Sequence, residues 1–385
     1  METFEVEGRA LHGQFLPGEG QGDTLIVLAH GWNATGAKML SMSEEARRLE
    51  PTADQFIAEL GSGLLSFAKP LQVAKRLAID IACLDRAHGY SKIVIVGHSA
   101  GALVARAAWL RAAGARERGD IGRRLHPWAD KVERIVLMAA INRGWSDSVA
   151  ISPLQRLLFA ALAVWEFFTY GLLQRWIGTT GYILEMRRGA PFITGLRLKW
   201  LAMAKHRKLP LVVQVLGTID DIVSPKDNVD LIAGDDFIYL EAPQSGHASM
   251  IRLDEPVVGE ERKRIFALAL TGDSAALKRK DRADEVADNL SDGLDDFDEE
   301  LADAADKREK VRRVVFVIHG IRDYGFWTKK IAGRAKKLGG GQTQCRTVTS
   351  SYGFFPMGPF VFKALRRRRV EWLMDQYVRA RALYP

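Results

Sequence analysis

Residues 92–104, Lys-Ile-Val-Ile-Val-Gly-His-Ser-Ala-Gly-Ala-Leu-Val, constrain this chain more than any other stretch. The apolar run Ile93 to Val96 is short and β-branched and does not alternate, which suits a strand buried on both faces of a parallel sheet. Gly97-His98-Ser99-Ala100-Gly101 then fits G-x-S-x-G, and an alanine-rich helix over 100–114 follows. In that strand–turn–helix setting the serine sits on a strained turn that only small neighbours allow, a nucleophile elbow. Ser99 would stand clear of the sheet, and the Ala100 N–H, at the helix start, would face an oxyanion formed after attack.

The surrounding chain supplies the sheet. Residues 25–29 read as a second buried strand that ends in the close turn His30-Gly31, and the N–H of Trp32 just beyond is the candidate second oxyanion donor. The loose alternation of residues 3–18 suggests an antiparallel strand pair at a sheet edge. Residues 39–60 are expected as helix, 63–67 as a short strand and 71–88 as a strongly periodic helix ending at Gly89. Further strands are expected at 134–140, 211–216 and 237–240, with a closing helix over 257–270. Such alternation of strand and helix implies a mostly parallel, twisted sheet with helices on both faces.

A serine hydroxyl is a weak nucleophile and needs a base, and that base needs a carboxylate to hold its tautomer. His247 lies in the small-residue loop Ala242-Pro-Gln-Ser-Gly-His-Ala-Ser directly after a strand, and of eight histidines only it and His319 follow the candidate acids. Those acids are Asp220 and Asp221, at the end of the preceding strand. As turn formers, both also suit the loop without any catalytic role.

The segment Gly217-Thr-Ile-Asp-Asp-Ile-Val resembles the G-x-x-D-x-x-V pattern of α/β-hydrolases, in which Gly217, Asp220 and Val223 match. With the His-Gly turn, the elbow and the His247 loop, it makes residues 1–271 resemble a serine hydrolase of the α/β-hydrolase superfamily, of the lipase and esterase kind. The resemblance implies the α/β-hydrolase fold with a helical lid insertion. It implies Ser99 as nucleophile, His247 as general base and acid, and Asp220 as its orienting acid with Asp221 as the alternative. It also implies the N–H groups of Trp32 and Ala100 as the oxyanion hole. An acyl-enzyme intermediate follows from it, with no cofactor and no metal. The expected reaction is cleavage of carboxylic esters. Thioesterase and acyltransferase chemistry would use the same triad, and a non-catalytic scaffold is the contrasting reading.

Residues 144–205 interrupt the rhythm. The run 157–173 is apolar on every face except at Glu166, is shorter than a membrane span, and lies where a lid would be inserted; it points to an apolar acyl part in the substrate. Two cysteines far apart, Cys83 and Cys345, support neither a disulfide framework nor a thiolate metal site. With an acidic amino-terminus lacking an apolar leader, they lead to an expected cytoplasmic location.

The formal charge of +8 divides unevenly: residues 311–385 carry +13, residues 272–310 carry −7, and residues 1–271 only +2. The nearly neutral catalytic part therefore gives no reason to expect nucleic acid. Peripheral membrane contact stays open through the lid or the basic C-terminal part. Within 272–310, Val286, Leu290, Leu294, Phe297 and Leu301 mark an acidic amphipathic helix or linker. Residues 314–321, Val-Val-Phe-Val-Ile-His-Gly-Ile, then parallel residues 25–32, with a helical stretch following in both. No G-x-S-x-G occurs in 320–385, so a small C-terminal α/β partial repeat without a nucleophile is expected. That module should contribute no catalytic residue, so that a chain ending near residue 272 keeps its activity. It should either dock on the first domain, with the acidic 281–306 helix against its basic face, or remain loosely ordered, and Arg366 to Arg369 should be solvated or paired with acids rather than bound to anionic lipid head groups.

Overall fold

The structure, a computed structural model, describes residues 5–6, 8–63, 66–116, 119–145, 161, 164, 181–219, 237–282, 310–320, 322, 324–340, 344–350, 354, 357 and 363–384. A two-stranded hairpin, β1 (Glu5–Val6) and β2 (Arg9–Ala10), precedes the main sheet and is separate from it. The sheet has seven strands: β3 (Gly13–Leu16), β4 (Thr24–Ala29), β5 (Asp54–Ala58), β6 (Lys92–His98), β7 (Val132–Met138), β8 (Leu211–Gly217) and β9 (Phe237–Ala242). Their order is β3-β5-β4-β6-β7-β8-β9, with β3 antiparallel to β5 and every other pairing parallel. Only β3, from the stretch read as an edge pair, joins this sheet.

Helices α1 (Leu40–Leu49), α2 (Pro70–His88), α3 (Ala100–Ala112), α4 (Pro191–Ala204) and α5 (Val258–Thr271) connect and cover the strands. Successive residues of β4 enter two different cores. Leu25, Val27 and Ala29 pack with α2, α3 and α4, and Ile26 and Leu28 pack with α1 and α5. This two-sided burial is why the strands read as unbroken apolar runs. Gly89, left-handed at φ 69°, ends α2 where the sequence places its stop.

Two expectations are corrected. Residues 39–60 are not one helix: α1 ends at Leu49, Pro51 lacks the N–H a helix interior needs, and Asp54–Ala58 is β5. That strand is wholly buried although it begins Asp-Gln, because tertiary partners satisfy both side chains. Tyr90 Oη donates to Asp54 at 2.6 Å, and Gln55 Nε2 donates to the Ser43 carbonyl at 3.1 Å. The strand expected at 63–67 is instead, in its described residues, a turn closed by Ser66 N–H on the Gly63 carbonyl at 2.9 Å. Having β5 in place of that strand keeps the sheet alternating as expected.

The C-terminal module runs β10 (Arg313–Val317), α6 (Thr328–Leu338), β11 (Cys345–Thr349) and α7 (Lys363–Leu383). β10 and β11 pair in parallel, as β4 and β5 do, and the order β-α-β-α is that of β4-α1-β5-α2. Even the turns agree: His30 Nδ1 lies 2.8 Å from the Gly31 carbonyl and His319 Nδ1 lies 2.9 Å from that of Gly320.

The C-terminal module packs against residues 1–271, one of the two arrangements expected of it. The acidic segment 283–309 lies outside the described residues, and the contact is made by α7 against α4. There Glu371 receives Arg187 Nε at 2.6 Å, and Asp375 receives Arg197 at 2.8 Å and Arg143 at 2.9 Å. Two acids of an otherwise basic module thus meet arginines from residues 1–271, a contact the sequence reading did not include. Arg367 is paired with acids, with Glu371 at 2.6 Å and Glu185 at 3.5 Å. Among the described residues no helix is long and apolar enough to cross a membrane.

Candidate active site

The elbow is built by close packing. Strand β6 delivers Ser99 at φ 52° and ψ −123°, a conformation that costs a non-glycine residue of order 1–3 kcal/mol and persists only where the surroundings over-determine it. A β-carbon on Gly97 would meet Ala102 Cα at 2.5 Å, and one on Gly101 would overlap the carbonyl oxygens of Ala29 and His30. Both glycines of the motif are thus fixed by the approach of α3 to β6 and to the end of β4. Ser99 N–H donates to the Met138 carbonyl at 2.9 Å, tying the elbow to β7.

His247 reaches this serine from the loop after β9. Its Nε2 lies 2.8 Å from Ser99 Oγ, with the two residues only 7% and 9% exposed. The loop is braced from below: Arg262 of α5 donates to Ser245 Oγ at 2.8 Å and to the Gln244 carbonyl at 3.1 Å. A residue that sequence reasoning passed over, His98, sits beside it. His98 Nε2 lies 2.9 Å from the His247 carbonyl, so that ring nitrogen carries the hydrogen, and the two imidazoles are 5.3 Å apart. The signal available in sequence was a lone polar residue inside an otherwise small and apolar motif.

Asp220 and Asp221 lie outside the described residues, as does Val223. The chain leading to them is nonetheless fastened to the histidine loop. Ile219 N–H donates to the Ser245 carbonyl at 3.2 Å, and Thr218 Oγ1 accepts from Gln244 N–H at 3.0 Å.

On the other side of Ser99 lies the His30-Gly31 turn. The Gly31 carbonyl accepts from Ser62 Oγ at 3.0 Å and lies 2.8 Å from His30 Nδ1. Leu60 N–H donates to His30 Nε2 at 3.0 Å, so the ring hydrogen belongs on Nδ1 and points at that carbonyl. With the carbonyl held by two donors, the planar peptide fixes the Trp32 N–H in the opposite direction. Asn33 N–H, bonded to the Ser62 carbonyl at 2.7 Å, anchors the next residue. The Trp32 indole N–H is buried and has no hydrogen-bond partner among the described residues. Ala100 begins α3, where the first N–H groups have no intrahelical acceptor.

His319, the other histidine after the acids, is in the second module two residues past the end of β10, in contact with Gly320 and Ser350. Most of the expected lid, residues 146–180 apart from 161 and 164, and with it nearly all of the apolar run 157–173, lies outside the described residues. Among the described residues, no group of three or more His, Cys, Asp or Glu side chains is placed to hold a metal ion.

Residues 19–133 match the family DUF676, described as "Putative serine esterase". That span holds β4, the His30-Gly31 turn, β6, the elbow and α3. No curated protein matches the sequence. Among solved structures, this chain is similar to the enol-lactonase from Burkholderia xenovorans LB400, at 18% identity and a TM-score of 0.41, over 69% of this chain and 99% of that one. It is also similar to the peroxisomal alpha-beta-hydrolase Lpx1 from Saccharomyces cerevisiae, at 12% identity and a TM-score of 0.42, over 65% of this chain and 78% of that one. At these identities and scores, neither bears on activity or substrate.

Proposed function

We propose that this chain is an α/β-hydrolase that cleaves carboxylic esters through Ser99, His247 and an acid after β8, Asp220, with Asp221 as the alternative. One observation carries the reading: a serine in a strained elbow, with a histidine Nε2 2.8 Å from its hydroxyl across 148 residues of sequence. Backbone strain held at the residue that meets a histidine nitrogen is the pattern expected of a catalytic turn.

The chemistry follows from the positions. Ser99 Oγ attacks the ester carbonyl carbon as His247 Nε2 takes the hydroxyl proton. The carbonyl oxygen becomes an oxyanion that accepts hydrogen bonds from the proposed donors, the N–H groups of Trp32 and Ala100. Collapse breaks the bond to the alcohol oxygen, which leaves with the proton from His247, and an acyl-enzyme remains. Water, losing a proton to the same Nε2, attacks the acyl carbon, and the carboxylic acid departs as Ser99 regains its proton. No step asks for a cofactor. The apolar character of residues 157–173 supports an apolar acyl part, and the split of the chain supports residues 1–271 as the catalytic domain with its lid at 144–205. Residues 272–310 then serve as an acidic linker, and 311–385 as a partial second module.

Thioesterase and acyltransferase chemistry would share every step up to the acyl-enzyme. A panel of p-nitrophenyl esters of increasing chain length, with the matching acyl thioesters, tests the reading. Turnover that is the same in wild type and Ser99→Ala on every substrate would refute it. Faster turnover of thioesters than of esters would move the chain to the thioesterase reading.

A further inference from the structure

Asp375, on the last helix of the second module, closes a ring of side chains that includes Arg106 of α3, the helix that Ser99 precedes. One carboxylate oxygen accepts from Arg197 of α4 at 2.8 Å, and the other accepts from Arg143, in the loop after β7, at 2.9 Å. From Arg197 the path continues along α4 to Trp200, whose ring lies 4.4 Å from the Arg106 guanidinium of α3. Arg106 donates to Asn142 Oδ1 at 3.1 Å, and Asn142 is the residue before Arg143. The ring therefore joins α7, α4, α3 and the post-β7 loop, and Asn142 Nδ2 extends it to Gln214 of β8 at 2.9 Å. Arg106, Asn142, Arg197 and Asp375 are all buried, so these charge-assisted bonds are shielded from water and hold their geometry firmly.

A second contact lies one turn away. Glu371 grips Arg187 through two bonds, at 2.6 and 3.1 Å. The backbone of Gly189 lies so close to the Glu371 carbonyl that no β-carbon fits between them. Arg143 and Arg187 belong to the two stems of the insertion between β7 and β8. Those stems are also zipped to each other, by Trp145 N–H on the Met186 carbonyl at 3.2 Å and Arg188 N–H on the Trp145 carbonyl at 2.8 Å. Tyr182 N–H in turn donates at 2.8 Å to the carbonyl of Ser66, in the loop whose Ser62 holds the Gly31 turn.

We infer that Asp375 and Glu371 are positioning residues, through which the second module fixes both stems of the insertion and α4 against the nucleophile helix and so sets which acyl groups the Ser99 site accepts. The inference rests on the hydrolase reading given above. It reverses the expectation that a chain without the module keeps its activity: the module contributes no reacting group, yet its carboxylates hold α4, which packs on α3, and both stems of the insertion. The arginines lie in the first domain and the carboxylates 178 to 232 residues further on, so a chain ending near residue 272 lacks the acids of the ring altogether.

The test uses the full chain with Asp375→Asn, Glu371→Gln and Asp375→Glu. Hydrogen exchange reports the stems directly: amides of 186–200 should exchange faster in Asp375→Asn and Glu371→Gln, while those of β6 and α3 keep their protection. In the same proteins, labelling of Ser99 by a small fluorophosphonate should be unchanged. The ratio of kcat/KM for long-chain over short-chain p-nitrophenyl esters should shift about tenfold, mostly through KM, as expected when a binding wall moves and the chemistry does not. Asp375→Glu, which keeps the charge, should restore part of the ratio. Unaltered stem exchange in both charge-removing variants would overturn the inference. So would faster stem exchange with an unaltered chain-length ratio, since the contact would then be structural only. Should Asp375→Asn not fold, Glu371→Gln carries both measurements alone. If wild type labels at Ser99 but turns over no ester, the substrate assignment falls, and the clamp is judged by stem exchange and by the labelling rates of long-chain against short-chain fluorophosphonates.

Discussion

Gly31 and Ser99 touch across the site: a β-carbon added to Gly31 would lie 3.0 Å from the Ser99 β-carbon and 3.2 Å from His98 Nδ1. The turn after β4 and the elbow after β6 are therefore packed together, so that a shift of one is felt by the proposed oxyanion donor and the proposed nucleophile alike. Gly31→Ala should displace Ser99 by a few tenths of an ångström and lower kcat on a short ester. A loss of about 10- to 100-fold is expected, since misplacement of about 1 Å costs on that order. Stopped-assay kinetics read beside thermal unfolding check this. The claim fails if kcat holds while the melting temperature drops.

His98 holds the backbone of His247 rather than its reacting nitrogen. His98→Ala removes the donor to a buried carbonyl, an effect on the order of 1–3 kcal/mol, and should loosen the loop that presents the imidazole. Slower Ser99 labelling by fluorophosphonate than in wild type, in a protein that remains folded by circular dichroism, is the expected result.

The two candidate acids differ by one position and can be separated by substitution. Asparagine at the residue that orients His247 stabilises the wrong tautomer and should reduce kcat by about 10⁴. Asp220→Asn is expected to be the crippling change and Asp221→Asn the mild one. The opposite ranking in a steady-state assay would transfer the role to Asp221.

Asp375 also predicts a pH dependence of stability. Burial alone would raise its carboxyl, and the guanidinium groups of Arg143, Arg197 and Arg188 outweigh that, bringing it from 3.8 down to about 2. A carboxyl with a depressed folded pKa adds stability that is fully present above its unfolded pKa and is lost as pH falls through the folded one. At about 1.36 kcal/mol per pH unit, this amounts to about 2 kcal/mol. Denaturant titrations should show a constant gap between wild type and Asp375→Asn at neutral pH, narrowing as pH falls from about 4 towards 2. A gap independent of pH over that range would contradict the assignment.

What the sequence made legible follows from what burial does to composition. Strands β4, β6, β7, β8 and β9 are covered on both faces, so they stand out as apolar runs, and the elbow combines a fixed motif with the strand and helix it requires. Strand β5 was hidden because Asp54 and Gln55 are satisfied by Tyr90 and Ser43, partners that only the folded chain supplies. The docking of the second module was hidden for a related reason. Summed charge marks residues 311–385 as basic, yet Glu371 and Asp375 make the interface, because a single buried carboxylate facing arginines outweighs many solvated ones. His98 escaped notice because its partner is a backbone carbonyl 149 residues away.

The central claim is that Ser99 is a nucleophile activated by His247, and covalent labelling measures it most directly. Wild-type protein treated with a fluorophosphonate should gain one adduct, which tandem mass spectrometry places on Ser99. Ser99→Ala should gain none there, and His247→Ala should label orders of magnitude more slowly while remaining folded. Labelling of wild type and His247→Ala at the same rate, or an adduct of wild type that maps away from Ser99, would contradict the account.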